Sequence, residues 1–381
     1  MANKKVLVAL SGGVDSAVSA ALLKKQGFDV FGAHFRFFKN PPKSPFAKGG
    51  VKKKFEQDQA LYKAKKVAEA LNIPLKIVDA KRNFKKKIID YFIESYKKGA
   101  TPNPCVVCNK EMKFRLLFDL MKEYKADFVS TGHYARIVRQ SSAFSFVEQN
   151  SPNSSKPSFM YKLREAKDKS KDQSYFLYKL TQKELSKTIF PLGDYEKTEV
   201  KKLAKKFKLP VFGDEESQDI CFLAKSDINR FLGKYIKPKS GNIVNEKGNI
   251  LARHKGLPFY TIGQRKGIEI GGTEPYFVIG KNSKKNELVV SNNPKKLLTK
   301  KFEVNLVNWV HPRTKKEERG FFSVGVKIQI RYHSEKIPAI IKQDKSSRLV
   351  VETVKPVRAI TSGQSAVFYR KDEVLGGGTI L

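Results

Sequence analysis

A chain of 381 residues, 40% hydrophobic and 11% aromatic, is too long for one core and has enough apolar material for two or three domains. Lys and Arg number 75 against 37 acidic residues, a formal net charge of +38; this points to a polyanionic partner such as nucleic acid, a plain lysine-rich surface being the blander source. Three cysteines argue against a disulfide-built scaffold, and neither a secretory leader nor a run of roughly 18 apolar residues is present, so a soluble, cytoplasmic chain with reduced thiols and no membrane contact is expected.

In chain order, the apolar run Val6 to Leu10 reads as a buried strand. It leads into Ser11-Gly12-Gly13-Val14-Asp15-Ser16 and a helix near 17–26, with Gly27 as its stop. Strand, Ser-Gly-Gly and helix together make a phosphate cradle, because the glycines turn tightly and the N–H groups at the helix start point at anionic oxygens. No Gly-Lys-Ser/Thr follows, so the loop is not a Walker A motif, and Gly-x-Gly-x-x-Gly is absent. The pattern resembles the pyrophosphate loop of ATP-pyrophosphatases, which transfer AMP from ATP to an oxygen. Asp15 either caps the helix or helps to place Mg²⁺–pyrophosphate.

A strand at about 30–38 precedes a lysine-rich surface loop at 39–54. A helix at 56–71, a strand at 75–78, helices at 83–97 and 105–124, and a strand at 128–131 follow. This alternation predicts an α/β fold with a doubly wound parallel sheet. Ligands of such sheets bind at the carboxyl ends of the strands, where Ser11–Ser16 and Gly132-His133 lie. Residues 140–158 read as a flexible insertion, and helical patterns return at 172–186 and 196–207. Beyond Pro210 β-type runs dominate. Phe321 to Tyr332, Ala339 to Ile341 and Arg348 to Thr353 suggest a small C-terminal β-barrel.

Cys105-Val106-Val107-Cys108 opens the 105–124 helix, with Asn103 as N-cap and Pro104 at the first helical position. Spacing i, i+3 puts both thiols on one face, and the helix N-terminus favours thiolate, more for Cys105 than for Cys108. Cys221 lies in Ser217-Gln218-Asp219-Ile220-Cys221-Phe222. No second pair or paired histidines complete a zinc site. Inert buried thiols, persulfide chemistry through thiol–disulfide exchange, and a three-cysteine iron–sulfur cluster stay open.

Several motifs together resemble one family, the tRNA-specific 2-thiouridylases of the MnmA type. They are Ala9-Leu10-Ser11 to Ser16, Thr101-Pro102-Asn103-Pro104 with Cys108-Asn109-Lys110, Ser130-Thr131-Gly132-His133-Tyr134, and Lys171-Asp172-Gln173-Ser174-Tyr175-Phe176. Phe190 to Gly193, Ser217 to Cys221, Tyr260 to Gly267 and Gly363 to Tyr369 complete a collinear set along essentially the whole chain.

The resemblance implies an adenine nucleotide alpha hydrolase-like ATP-pyrophosphatase domain at 1–213, a central tRNA-binding domain at 214–283 and a C-terminal β-barrel at 284–381. It implies that ATP, with Mg²⁺ beside the pyrophosphate, adenylates the C2 oxygen of a tRNA wobble uridine. A Cys221 persulfide, loaded by a sulfur donor protein, then delivers sulfur, and Cys108 is the partner thiol that ends in a Cys108–Cys221 disulfide. Residue by residue, it implies ATP contacts from Ala9, Leu10, Ser11, Gly12, Gly13, Val14, Asp15, Ser16, Phe35 and Gly132. Asn103, Pro104 and Cys105 border the target base, and Lys171, Asp172, Gln173, Arg331 and Tyr332 touch tRNA, with a monomer as the working unit. The target base must leave its stack, which an anticodon loop permits cheaply.

Two departures stand out. Many members carry Asp where this chain has Cys105, which puts acid/base duty there in doubt and strengthens a three-cysteine iron–sulfur cluster. Phe35 and Phe38 replace the usual Met and Trp after the second strand. Competing readings are an amide-forming ATP-pyrophosphatase, which needs neither the thiols nor the basic excess, and a non-catalytic RNA-binding protein, which needs no intact loop. His133 is assigned no catalytic role, and Gln264 to Gly267 reads as a phosphate contact or a solvated turn.

Overall fold

Strand β1 (Lys5–Ala9) lies at the centre of a five-stranded, all-parallel sheet. The computed structural model describes residues 3–37, 59–141, 159–211, 220–223, 227–271, 274–311, 323–343 and 349–381. The sheet order is β3-β2-β1-β4-β7, built from β2 (Asp29–Arg36), β3 (Leu75–Asp79), β4 (Phe128–Ser130) and β7 (Thr188–Ile189). Alternation along β1 divides its side chains between two cores. Val6 and Val8 pack with α1 (Val14–Lys25), α2 (Gln59–Leu71) and α8 (Lys197–Lys206). Leu7 packs on the other face with Leu117 and Leu120 of α6 (Arg115–Glu123). The chain reverses direction through the sheet between β1 and β4, so the crevice at their carboxyl ends is the switch point.

Helix α1 starts at Val14, three residues earlier than its apolar pattern indicates, because Gly13 in extended conformation serves as N-cap. Gly27, at φ +85°, ends it as expected. The expected helix at 83–97 begins at Lys81. It runs as α3 (Lys81–Phe84), a π turn (Lys85–Ile89) and α4 (Asp90–Lys97). The 105–124 helix likewise runs as α5 (Pro104–Cys108), a π turn (Asn109–Phe114) and α6. The 39–54 loop falls outside the described residues.

Segment 172–186 departs from expectation. It forms one 3₁₀ turn at Ser174–Phe176 and a four-residue helix, α7 (Gln182–Leu185), with turns between them. Tertiary bonds override the helical pattern: the Tyr175 hydroxyl donates to Ser365 O at 3.0 Å, and Tyr178 Oη lies 3.3 Å from Ser365 Oγ. Thr181 then restarts the helix through a capping box with Glu184.

The edges of the expected 140–158 insertion also belong to regular structure. β5 (Ala135–Ser141) and β6 (Phe159–Glu165) form an antiparallel hairpin; residues 142–158 lie outside the described residues. After α9 (Ile228–Leu232), a four-stranded sheet of order β10-β11-β8-β9 is formed by β8 (Gly241–Val244), β9 (Ile250–His254), β10 (Phe277–Asn282) and β11 (Glu287–Ser291). The expected boundary at 283 falls in the turn between β10 and β11, so this sheet continues past it.

Six antiparallel strands then close into the expected barrel: β12 (Leu298–Trp309), β13 (Ser323–Gln329), β14 (Ile337–Gln343), β15 (Leu349–Arg358), β16 (Ser365–Arg370) and β17 (Glu373–Ile380). The β12–β17 pairing closes it, and β6 extends it by pairing with β17. Val106, Phe114, Tyr175, Tyr178, Val367, Tyr369 and Val374 share one core, so the hairpin welds the barrel to the sheet domain. No helix among the described residues is long and apolar enough to cross a membrane.

Candidate active site

The loop after β1 is shaped by its own hydroxyls. Ser16 Oγ accepts from Ser11 N and donates to Gly13 O, and Ser11 Oγ lies 3.1 Å from Ser16 Oγ. His34 Nδ1 sits 2.7 Å from Leu10 O and fixes the end of β1, where Leu10 is buried. Gly12 has φ +85°, and a Cβ there would stand 2.4 Å from Ala60 O, so only glycine fits. Gly132, beyond β4, lies so close that a Cβ would be 2.7 Å from Ser16 N. Ala9 to Ser16 and Gly132 are therefore brought together at the switch point. Phe35, at the end of β2, stacks on Phe37 at 5.9 Å, and Phe37 on Phe84 at 5.1 Å. Phe38 lies outside the described residues.

Asp15 is not a helix cap. Its Oδ1 accepts from Tyr134 Oη at 2.8 Å, and Lys197 Nζ donates to both of its oxygens at 2.7 and 2.9 Å. Sequence reasoning missed Lys197, since nothing local links it to a loop 182 residues away.

The cysteines form the second half of the site. Asn103 Oδ1 accepts from Val106 N at 3.4 Å and Pro104 sits in the first turn, as the sequence indicates. The barrel holds this turn from outside: Gln364 Nε2 donates to Thr101 O at 2.8 Å, and Thr101 N donates to Ser362 O at 2.8 Å. Cys108 is buried with Phe84, Ile88 and Met112, and Phe222 packs on the same cluster. Phe222 is also within 6.0 Å of Phe84 and 5.3 Å of Phe92. Its insertion anchors the 220–223 turn and delivers the neighbouring Cys221, which is exposed, to the Cys105–Cys108 helix.

Burial pushes the Cys105 thiol up to about 11 and the Cys108 thiol up to about 12, with the Lys113 ammonium opposing in both. Desolvation raises Cys221 too, again opposed by Lys113. Loss of hydration thus opposes the thiolate character that the helix terminus favours at both thiols. All three thiols share the field of Lys113, and Cys221 acts on the other two. Lys113, in the π turn beyond Cys108, was not singled out from the sequence. At about pH 8 iodoacetamide should label Cys221 first and Cys108 last, the buried thiols accelerating only toward pH 11. Peptide mass spectrometry checks this, and equal labelling of all three at pH 8 contradicts the packing described.

Among the described residues, which include all three cysteines, no group of three His, Cys, Asp or Glu side chains stands in position to hold a metal ion. His133 is kept neutral, its pKa held well below the usual value by burial and then by Lys113; its Nδ1 lies 2.8 Å from Thr131 Oγ1.

Of the expected tRNA contacts, Asp172 is turned inward. Its carboxylate accepts from Ala166 N, Ser174 N and Ser174 Oγ, and burial raises its pKa. Gln173 is engaged with the backbone of Tyr134 through its side-chain oxygen, while Lys171 is half-buried. Such bonds shape the chain and leave little of Asp172 for a ligand. Arg331, exposed in the turn after β13, donates from Nη2 to Ala359 O and Thr361 Oγ1. Tyr332 is 36% exposed, stacks on His333 at 3.9 Å and lies tilted against Phe176 at 4.4 Å. It lines a groove of about 450 Å³ with Glu165, Lys169, Gln329 and Lys336. Burial raises the Tyr332 hydroxyl to about 12, and both Asp172 and Cys105 add to the rise.

A family model described as the tRNA methyl transferase HUP domain matches residues 4–225. The tRNA methyl transferase PRC-barrel domain matches 229–292, and the aminomethyltransferase beta-barrel domain matches 299–380. The chain is 39% identical over 384 residues to the tRNA-specific 2-thiouridylase MnmA 2 of Clostridium tetani (strain Massachusetts / E88), covering 99% of both chains. It is 40% identical over 382 residues to MnmA 2 of Thermoanaerobacter sp. (strain X514), covering 99% of this chain and 98% of the relative. Identity to MnmA of Clostridioides difficile (strain 630) is 37% over 380 residues, with 99% and 98% covered.

Proposed function

The chain belongs to the MnmA family of tRNA-specific 2-thiouridylases, and from that premise we propose how its residues thiolate tRNA. It is a tRNA-uridine 2-sulfurtransferase. In the first step ATP, seated on the Ser11–Ser16 loop beside Gly132, gives AMP to the C2 oxygen of the wobble uridine and pyrophosphate leaves. Phosphate oxygens are the groups that would hold Mg²⁺ there, since both Asp15 oxygens are taken by Lys197 and Tyr134.

In the second step the outer sulfur of a Cys221 persulfide bonds to C2 and AMP departs with the oxygen. The Cys108 thiol loses its proton and attacks Sγ of Cys221, releasing 2-thiouridine. Two thiols end as a Cys108–Cys221 disulfide, the sulfane sulfur is reduced, and an external dithiol resets the pair. The exposure of Cys221 suits loading by a persulfide donor protein, and the burial of Cys108 suits a resolving thiol. Lys113 lowers the cost of each thiolate as it forms. Asn103, Pro104 and Cys105 border the flipped base, and the partly exposed ring of Tyr332 suits contact with a single-stranded base. The central sheet and barrel supply the remaining tRNA surface, with a cytoplasmic monomer as the working unit.

The observation that carries this reading is the packing of Phe222 on the cluster that holds Cys108, which brings the Cys221 turn against the Cys105–Cys108 helix. Its test is thiouridine formation on unmodified tRNA by protein purified without oxygen, for the wild type and Cys105→Ser, with iron and acid-labile sulfide quantified. Retained activity without iron is expected. Joint loss of activity and iron means that the thiols are cluster ligands, and no thiouridine at all defeats the reading.

A further inference from the structure

The Ser11–Ser16 loop presents a contradiction in charge. It is built to receive phosphate, yet its sequence places a carboxylate, Asp15, at the second residue of α1 and no lysine. A carboxylate suits a helix N-terminus on its own but repels a triphosphate bound at the same place. The fold answers with a cation from elsewhere. Lys197, the first residue of α8, reaches both Asp15 oxygens at 2.7 and 2.9 Å, with its side chain only 8% exposed.

Two further features set this pair apart from an ordinary surface ion pair. Tyr134, two residues beyond Gly132, donates to Asp15 Oδ1 at 2.8 Å, and its ring lies 5.6 Å from the Lys197 ammonium. The backbone under Lys197 is anchored as well: Lys197 N donates to Asp168 Oδ2 at 3.0 Å, and Glu196 and Glu199 form a capping box. Two distant segments thus meet on one carboxylate at the mouth of the loop. Taking an ammonium out of water is expensive, and an apolar residue could fill a merely structural position at least as well.

We propose that Lys197 is a positioning residue of the nucleotide site: with Tyr134 it clamps Asp15 in one orientation and cancels its charge, so that the loop accepts phosphate. Lys197 acts through Asp15 and does not itself grip the nucleotide. The proposal rests on the ATP reading of the loop.

The test is calorimetric binding of α,β-methylene-ATP with Mg²⁺ and no tRNA, for wild type, Lys197→Met, Lys197→Arg, Asp15→Asn and Lys197→Met/Asp15→Asn. The KM values for ATP and tRNA are measured alongside. Lys197→Met is expected to weaken analogue binding about tenfold or more and to raise the KM for ATP while that for tRNA stays within about twofold. Lys197→Arg should recover most of the loss. In the Asp15→Asn background, Lys197→Met should change binding by less than about threefold, because no carboxylate is left to neutralise. This last comparison carries the test even if Lys197→Met alone does not fold. A further tenfold loss in that background means that the lysine grips the phosphates directly, and overturns the proposal. Wild-type binding by a folded Lys197→Met chain also overturns it. Failure of the wild type to bind the analogue removes the ATP reading itself, and this proposal with it.

Discussion

Cys108→Ser and Cys221→Ser are each expected to lower thiouridine formation by roughly 10³-fold or more, while pyrophosphate release in the presence of tRNA persists. A hydroxyl occupies nearly the volume of a thiol, so the buried Cys108 site and the exposed Cys221 turn should both stay folded. What is lost is chemistry: oxygen cannot carry the sulfane sulfur, nor close the disulfide that frees the product. Because the two thiols act as a unit, the double variant should be no worse than either single one. Nucleoside mass spectrometry and a pyrophosphate assay read the two steps separately. Near-normal thiolation by either variant removes that cysteine from the mechanism. Loss of pyrophosphate release as well shows that the thiols are needed before the sulfur step.

Gly132→Ala should damage the nucleotide site through a single methyl group. Its Cβ would stand 2.7 Å from Ser16 N and 2.8 Å from Asp15 C. Both are backbone atoms at the start of α1, so no side chain can swing away, and the helix must move off the carboxyl end of β4. The expected result is a loss of about 10²-fold in ATP affinity and about 1–3 kcal/mol of stability. Gly325→Ala, in open space on β13, should change neither. Calorimetric ATP titration and thermal melts decide it; an unaltered affinity for Gly132→Ala means that the loop does not seat the nucleotide.

Much of this arrangement is local and therefore readable. Val6, Leu7 and Val8 form a strand because they can bury on both faces of a parallel sheet. Gly27 stops α1 because it takes φ +85° without strain. Asn103 and Pro104 start the cysteine helix through a bond three residues along the chain. The failures share another feature. Segment 172–186 has a helical pattern, but Tyr175 and Tyr178 find partners at Ser365, about 190 residues on. The hairpin β5–β6 lies on either side of a polar insertion, and only its pairing with β17 gives it a purpose.

The sequence by itself determined the βα alternation, the phosphate loop, the cysteine-bearing helix start and the barrel runs, since each depends on periodicity and on turn chemistry between near neighbours. Tertiary structure alone decided that Phe222 carries Cys221 to Cys108, that Lys197 neutralises Asp15, and that Asp172 faces inward. It also supplied the burial that pushes the thiols up, against the pull of the helix terminus. The reason is physical: desolvation and long-range pairing depend on which surfaces meet, and a short stretch of chain carries no record of its distant partner.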